Sequence, residues 1–184
     1  MRTLIAPLAT AVVAVLGTLA VTSMTSRAAA TSYAEDRAAI EDLQARYLFA
    51  MDFHDPDLYV TLFTEDGVLD VGSGEIRGRK AIKDVIARMP NPKAPPAESG
   101  LWQAVGRHNI SNIVIKVDGD RARGRAYWFH YSNDNAKRSA LFDGFGHYDD
   151  ELVKVNGQWL FSKRRIYNEN RKEWAYAGGK NPAW

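Results

Sequence analysis

Three features of this 184-residue chain predict an α+β fold. Apolar residues at helical spacing are confined to its first half. Long alternating strands fill the second half. Two turn signals, Asp118-Gly119 and Asn156-Gly157, join those strands as hairpins. Helices and strands segregated in this way place the helices on one face of a curved, mostly antiparallel sheet.

The chain opens on a targeting pattern. Arg2 is followed by an apolar run from Leu4 to Val21, and Ala28-x-Ala30 fits cleavage after Ala30. A signal peptide over 1–30 is therefore expected, with the mature protein secreted or periplasmic and no stable membrane insertion after cleavage. The run is also near the lower length limit for spanning, so a retained anchor is the alternative. Cysteine is absent, and no disulfide framework is expected despite export. The whole chain carries 24 Lys and Arg against 22 Asp and Glu. The first thirty residues hold Arg2 and Arg27 and no acid, so the mature chain has net charge zero. The pI of about 8.8 is thus no sign of nucleic-acid binding. What remains is enough for one domain over 31–170, with a polar tail over 171–184.

Helix one opens on Ser32-Tyr-Ala-Glu35, a capping-box pattern. Ile40, Leu43, Tyr47 and Met51 recur on one face of it. Asp52 falls on its last turn. A carboxylate there faces the negative end of the helix dipole and does nothing for stability. It is read as a pocket group that holds His108; a solvated acid at a fraying end is the alternative. Asp55-Pro56 is an N-cap and first-turn proline for a second helix, about 57–63. Thr64-Glu-Asp-Gly67 reads as a turn, Val68–Val71 and Glu75–Arg77 as short strands, and Arg79–Met89 as a third helix. Four prolines between Pro90 and Pro96 forbid regular structure, and Pro90–Leu101 reads as a rim or a surface connector. Four long strands follow: Val105–Val117, Arg121–Ser132, Ser139–Val155 and Gln158–Tyr167.

Alternation sorts the side chains of these strands. In the second, Ala122, Gly124, Ala126, Trp128 and His130 face the helices. Arg121, Arg123, Arg125, Tyr127, Phe129 and Tyr131 face away. The three outer aromatics suggest a subunit interface, a homodimer or homotrimer. In the first long strand, His108, Ile110, Asn112 and Val114 share one parity. In the third, Gly144, Gly146 and Tyr148 share a face, and His147 reads as outward. In the fourth, Leu160, Ser162, Arg164 and Ile166 share a face, and an inward Arg164 needs a carboxylate or a ligand. His54, His108, His130 and His147 show no metal-ligand spacing, so no metal site is expected. Asn109-Ile-Ser111 matches a glycosylation sequon inside a strand.

With these residues in place, the chain resembles the SnoaL-like branch of the nuclear transport factor 2-like superfamily. The matching stretches are Ala38-Ala-Ile40-Glu-Asp-Leu43, Leu62-Phe63-Thr-Glu-Asp-Gly67, Arg107-His108-Asn109, Asp118-Gly119-Asp120-Arg-Ala122 and Asn156-Gly157-Gln-Trp159-Leu-Phe. They run from Ser32 to Tyr167. The resemblance implies a cone-shaped α+β barrel with three N-terminal helices and a deep pocket at its open end. Within the superfamily the pattern is similar to scytalone dehydratase and hexachlorocyclohexane dehydrochlorinase. Both pair an Asp at the end of helix one with a His on the first long strand, and Asp52 and His108 match those positions. Arg164 matches an arginine after the Trp of the last hairpin. Tyr47 stands where the dehydrochlorinase pattern has a basic residue, a departure that argues against a cationic leaving-group role there. Scytalone dehydratase also uses two tyrosines and a second histidine; Tyr148 and His130 lie near the relevant strands, and the match is not position for position.

The resemblance implies cofactor-free elimination of water or HX, or a related isomerisation, on a small hydrophobic cyclic molecule. Asp52 and His108 would be catalytic, with His108 as general base. Tyr47, Trp128, His130, Tyr148 and Arg164 would bind the substrate. The alternatives are a binding protein with the same pocket, and a polyketide-cyclase-like or epoxide-hydrolase-like enzyme.

Overall fold

A computed structural model describes residues 32–89 and 105–170. The expected signal peptide, the Pro90–Leu101 loop, Trp102 and the 171–184 tail lie outside the described residues. The chain divides into two units, Met1–Ala38 and Ala39–Trp184. The described part of the first, residues 32–38, is the opening of helix α1, which runs over 32–52. Everything below belongs to the second.

Helix α1 stops where the sequence lets it. His54 adopts φ 51°, and the Asp55 N–H reaches back to the Ala50 carbonyl at 2.8 Å. A left-handed residue with this long return bond is a Schellman-type ending. Asp55 then caps α2 (Pro56–Thr61), its Oδ1 accepting the Leu58 N–H at 2.9 Å. Helix α3 (Arg79–Arg88) buries Ile82 and Ile86.

Six strands form one sheet in the order β2-β1-β6-β5-β4-β3. They are β1 (Phe63–Asp70), β2 (Glu75–Arg77), β3 (Gly106–Asp118), β4 (Arg121–Ser132), β5 (Leu141–Val155) and β6 (Gln158–Asn168). β1 lies parallel to β6 and every other pairing is antiparallel. The expected α+β class holds, with a mixed sheet that does not close into a barrel; among the described residues β2 and β3 are its outermost strands. Asn156 and Gly157 take φ 51° and 80° between β5 and β6, the paired positive values of a tight hairpin turn. The core is built from Ile40, Leu43 and Tyr47 of α1, Tyr59 of α2, Ile82 and Ile86 of α3, and the inner face of the sheet.

Three sequence readings need correction, each where a strand is irregular. Thr64–Gly67 is not a turn: the chain stays extended from Phe63, but its pairing to β6 skips from Phe63 to Val68. The unpaired polar residues produce the turn-like signal. In β3 the register slips between Ser111 and Val114, with Asn112 at φ 52°. The slip reverses the parity, so Ile115 and Val117 face the core in place of Asn112 and Val114. In β6 a second slip, opposite Glu151 and Leu152, puts Trp159 and Phe161 inward ahead of Arg164, in place of Leu160 and Ser162. A bulge adds one residue to one strand and so inverts the alternation beyond it.

Candidate active site

The end of α1 meets the start of β3. Asp52, the last residue of the helix, faces His108, the third residue of the strand. Asp52 Oδ1 lies 2.6 Å from His108 Nδ1. Both carboxylate oxygens also accept the His108 backbone N–H, at 3.0 and 3.2 Å. The acid that the helix dipole disfavours is thus held by the strand. The contact also fixes the imidazole. A carboxylate at Nδ1 requires the proton there, which leaves the Nε2 lone pair as acceptor. Asp52 is almost covered, while about a quarter of the His108 side chain stays open.

Beside His108 on β4 stands His130, opposite it in register. The two ring centroids are 4.3 Å apart. His130 Nδ1 in turn meets Asp143 Oδ1 at 2.5 Å. Aromatic rings continue inward from this pair. Trp128 lies 6.1 Å from His108, Tyr148 lies 6.2 Å from Trp128, and Tyr47 lies 6.0 Å from Tyr148. Trp128 Nε1 donates to the Tyr167 carbonyl at 3.1 Å, so its polar edge is satisfied while its face stays apolar.

Arg164 closes the inner end. Its guanidinium carbon sits 4.1 Å from the centroids of Tyr47, Tyr148 and Phe161. Its carboxylate is Asp150, bound through two nitrogens at 2.8 and 2.7 Å. Gln44 Nε2 donates to the same carboxylate at 3.1 Å. Arg164 Nη1 and Gln44 Oε1 have no hydrogen-bond partner among the described residues. Burial works against the Arg164 charge, but Asp150 more than offsets it and holds the group above its ordinary range. Burial likewise pushes the Tyr47 phenol up, and the phenols of Tyr59 and Tyr148 well above theirs. Tyr59 donates its hydroxyl to that of Tyr47 at 2.8 Å.

The expected site residues therefore divide into two layers. Asp52, His108 and His130 come together at an open edge. Trp128, Tyr148, Tyr47 and Arg164 form the buried layer behind them, all at most 6% exposed. Two acids escaped the sequence reading. Asp150 was legible, because it continues the inward parity of Gly144, Gly146 and Tyr148. Asp143 was not, because it sits in a break of the β4–β5 register between His130 and Tyr131. His147 does lie on the outer face, but it is buried there, with Nδ1 2.6 Å from Glu169 Oε1 and its ring stacked on Tyr167. His54 serves the end of α1. Among the described residues no group of three or more His, Cys, Asp or Glu side chains converges as a metal site would need.

A model of the SnoaL-like domain matches residues 32–165. The chain belongs to the SnoaL-like family. It is similar to an uncharacterised protein of Mycobacterium tuberculosis, 28% identical over 137 residues, which covers 70% of this chain and 82% of that one. Among solved structures it resembles a second Mycobacterium tuberculosis protein of unknown function, with a TM-score of 0.61 at 28% identity over 78% of this chain and 82% of the other. It also resembles a candidate scytalone dehydratase of Novosphingobium aromaticivorans, with a TM-score of 0.58 at 26% identity over 76% and 87%. The family places the chain in a superfamily whose members include polyketide cyclases and dehydratases.

Proposed function

We propose that this protein is a cofactor-independent lyase or isomerase. It acts on a small hydrophobic cyclic molecule and eliminates water or HX. The observation that carries the reading is the double hold of Asp52 on His108, through ring and backbone together. His108 Nε2 is the general base. It removes a proton from a substrate carbon, and Asp52 stabilises the imidazolium that forms. Trp128 supports an apolar ring beside the imidazoles, and Arg164 with Tyr47 and Tyr148 sets the electrostatics from behind. The named scytalone dehydratase resemblance supports the dehydratase form of this reading.

The test is a screen of hydroxylated and halogenated rings, followed by His108→Ala and Asp52→Asn on whichever compound turns over. Each substitution is expected to lower kcat by about 10²–10⁴-fold with the circular dichroism of the fold retained. Full turnover by His108→Ala rules the assignment out. Saturable ring binding without turnover, in the wild type, identifies a binding protein instead. The outer aromatic face is proposed as the contact between copies of the chain, and export after cleavage at Ala30 as its route.

A further inference from the structure

The outer face of the sheet, away from the helices, carries a hollow of about 610 Å³. Tyr127, Phe129 and Tyr131 of β4 and Phe142 and Phe145 of β5 line it, together with Glu169. Its size is that of a small-molecule pocket, so it takes a few side chains and not a folded surface. Tyr127, Tyr131, Phe142 and Phe145 are each between 41% and 52% exposed. Rings left this open lack the contacts and the exclusion of water that an inserted apolar group supplies.

The chain itself is led to this hollow. Beyond β6, the Glu169 N–H donates to the Phe145 carbonyl at 2.9 Å. Its Oε1 takes His147 Nδ1 of the outer face at 2.6 Å. Asn170 Nδ2 then donates to the Asp143 carbonyl at 3.0 Å. These bonds carry the backbone along β5 past Phe145 and toward Phe142, and the described residues end at Asn170. The sequence goes on with Arg171-Lys-Glu-Trp174-Ala-Tyr176.

Reach selects the residue that meets the rings. From β5 to β3 is two strand spacings, about 10 Å. Four extended residues span up to about 14 Å. Trp174, four positions beyond Asn170, is therefore the first aromatic able to lie across the hollow, and an indole buries about 150–250 Å². The charges agree as well. Arg171 and Lys172 follow directly on Glu169, and the Asp143 side chain at the same place is 45% exposed. A second copy docked on this face does not fill the hollow by itself. A two-fold contact sets a patch against its own image, and a hollow against its image stays empty.

We propose that the tail over 171–184 folds back on its own sheet and seats Trp174 in the outer hollow, against Tyr127, Phe142 and Phe145. The tail then straps β5, β4 and β3 together from outside. It becomes the layer between one chain and a second copy, which meets the seated tail and the rings around it. The seat does not depend on the reaction at the inner site.

Fluorine NMR of the full-length protein labelled with 5-fluorotryptophan tests the seat. The chain has five tryptophans, and Trp174→Phe identifies the resonance of residue 174. In the native protein this resonance is expected to resist broadening by a soluble gadolinium chelate and to lose that resistance in urea. Tyr127→Ala is expected to shift it and open it to the chelate, with circular dichroism unchanged. Arg121→Ala, at the far end of the same strand, is expected to leave it in place. Broadening as strong in the native protein as in urea overturns the proposal, as does a resonance that Tyr127→Ala does not move. Dilution until the copies separate is expected to leave the protection intact. Protection lost on dilution hands the hollow to the second copy and overturns the seat within one chain. Protection of Trp184 in place of Trp174 overturns the choice of residue.

Discussion

At the scale of single residues, the tyrosines behind the imidazoles make a prediction of their own. Tyr47, Tyr59 and Tyr148 are held in the neutral form chiefly by burial. The folded chain keeps these phenol protons to higher pH than the unfolded chain does. Their contribution to stability is fully present below about pH 10, the value of an unfolded tyrosine. Above it the unfolded state binds fewer protons than the folded state, so stability falls as pH rises. Urea midpoints measured between about pH 8 and pH 11 are expected to decline at the alkaline end. Tyr59→Phe should flatten that decline, at a cost of about 1 kcal/mol at neutral pH for the lost hydroxyl pair. A decline equally steep in Tyr59→Phe means that this phenol is not the group being titrated.

Between elements, one clamp joins three of them. Asp150 of β5 holds Arg164 of β6 and receives Gln44 of α1. All three are fully buried. Removing one partner of such a pair leaves a charge that neither water nor protein compensates, which costs about 3–5 kcal/mol. Asp150→Ala is therefore expected to lower the unfolding free energy by that amount in urea titrations. The double replacement Asp150→Leu with Arg164→Met is expected to recover much of it, since an apolar pair avoids the desolvation cost altogether. A loss below about 1 kcal/mol in Asp150→Ala would mean that the charge finds another partner. The clamp fixes the floor on which Tyr47 and Tyr148 stack, so the same element contact that stabilises the sheet also positions the inner layer of the site.

For the whole molecule, the outer face of the sheet is the feature to explain. Tyr127, Tyr131, Leu141, Phe142 and Phe145 are each between 41% and 53% exposed, and rings of Phe129, Tyr131, Phe142 and Phe145 touch in sequence. Tyr127, Phe129, Tyr131, Phe142 and Phe145, with Ser111, His147 and Glu169, line a hollow of about 610 Å³. An apolar patch of this kind marks an interaction surface. With a second copy as its occupant, Phe142→Glu is expected to convert the assembly to single chains in sedimentation velocity, with secondary structure unchanged. Wild-type protein that sediments as a single chain removes the proposal. Among the described residues no helix is long and apolar enough to cross a membrane.

The sequence by itself determined the α+β class, the order of the elements, and the faces of β4. Each follows from local periodicity and turn chemistry, which neighbouring residues carry without help from the rest of the chain. It also singled out Asp52, because a carboxylate against a helix dipole is anomalous in one dimension, and read His108 as its partner, two positions that the family resemblance then matched. Only the tertiary structure decided which acid serves which base. Asp150 was visible as an inward parity, but its ion pair with Arg164 depends on β5 and β6 lying side by side. Asp143 was invisible, because a bulge breaks the alternation that would have oriented it. The slips at Asn112 in β3 and around Ser162 in β6 misled the parity reading for the same reason: an extra residue in one strand is registered only by its partner strand. Register is a property of two strands at once, and the second Asp–His pair exists only because register sets it opposite the first.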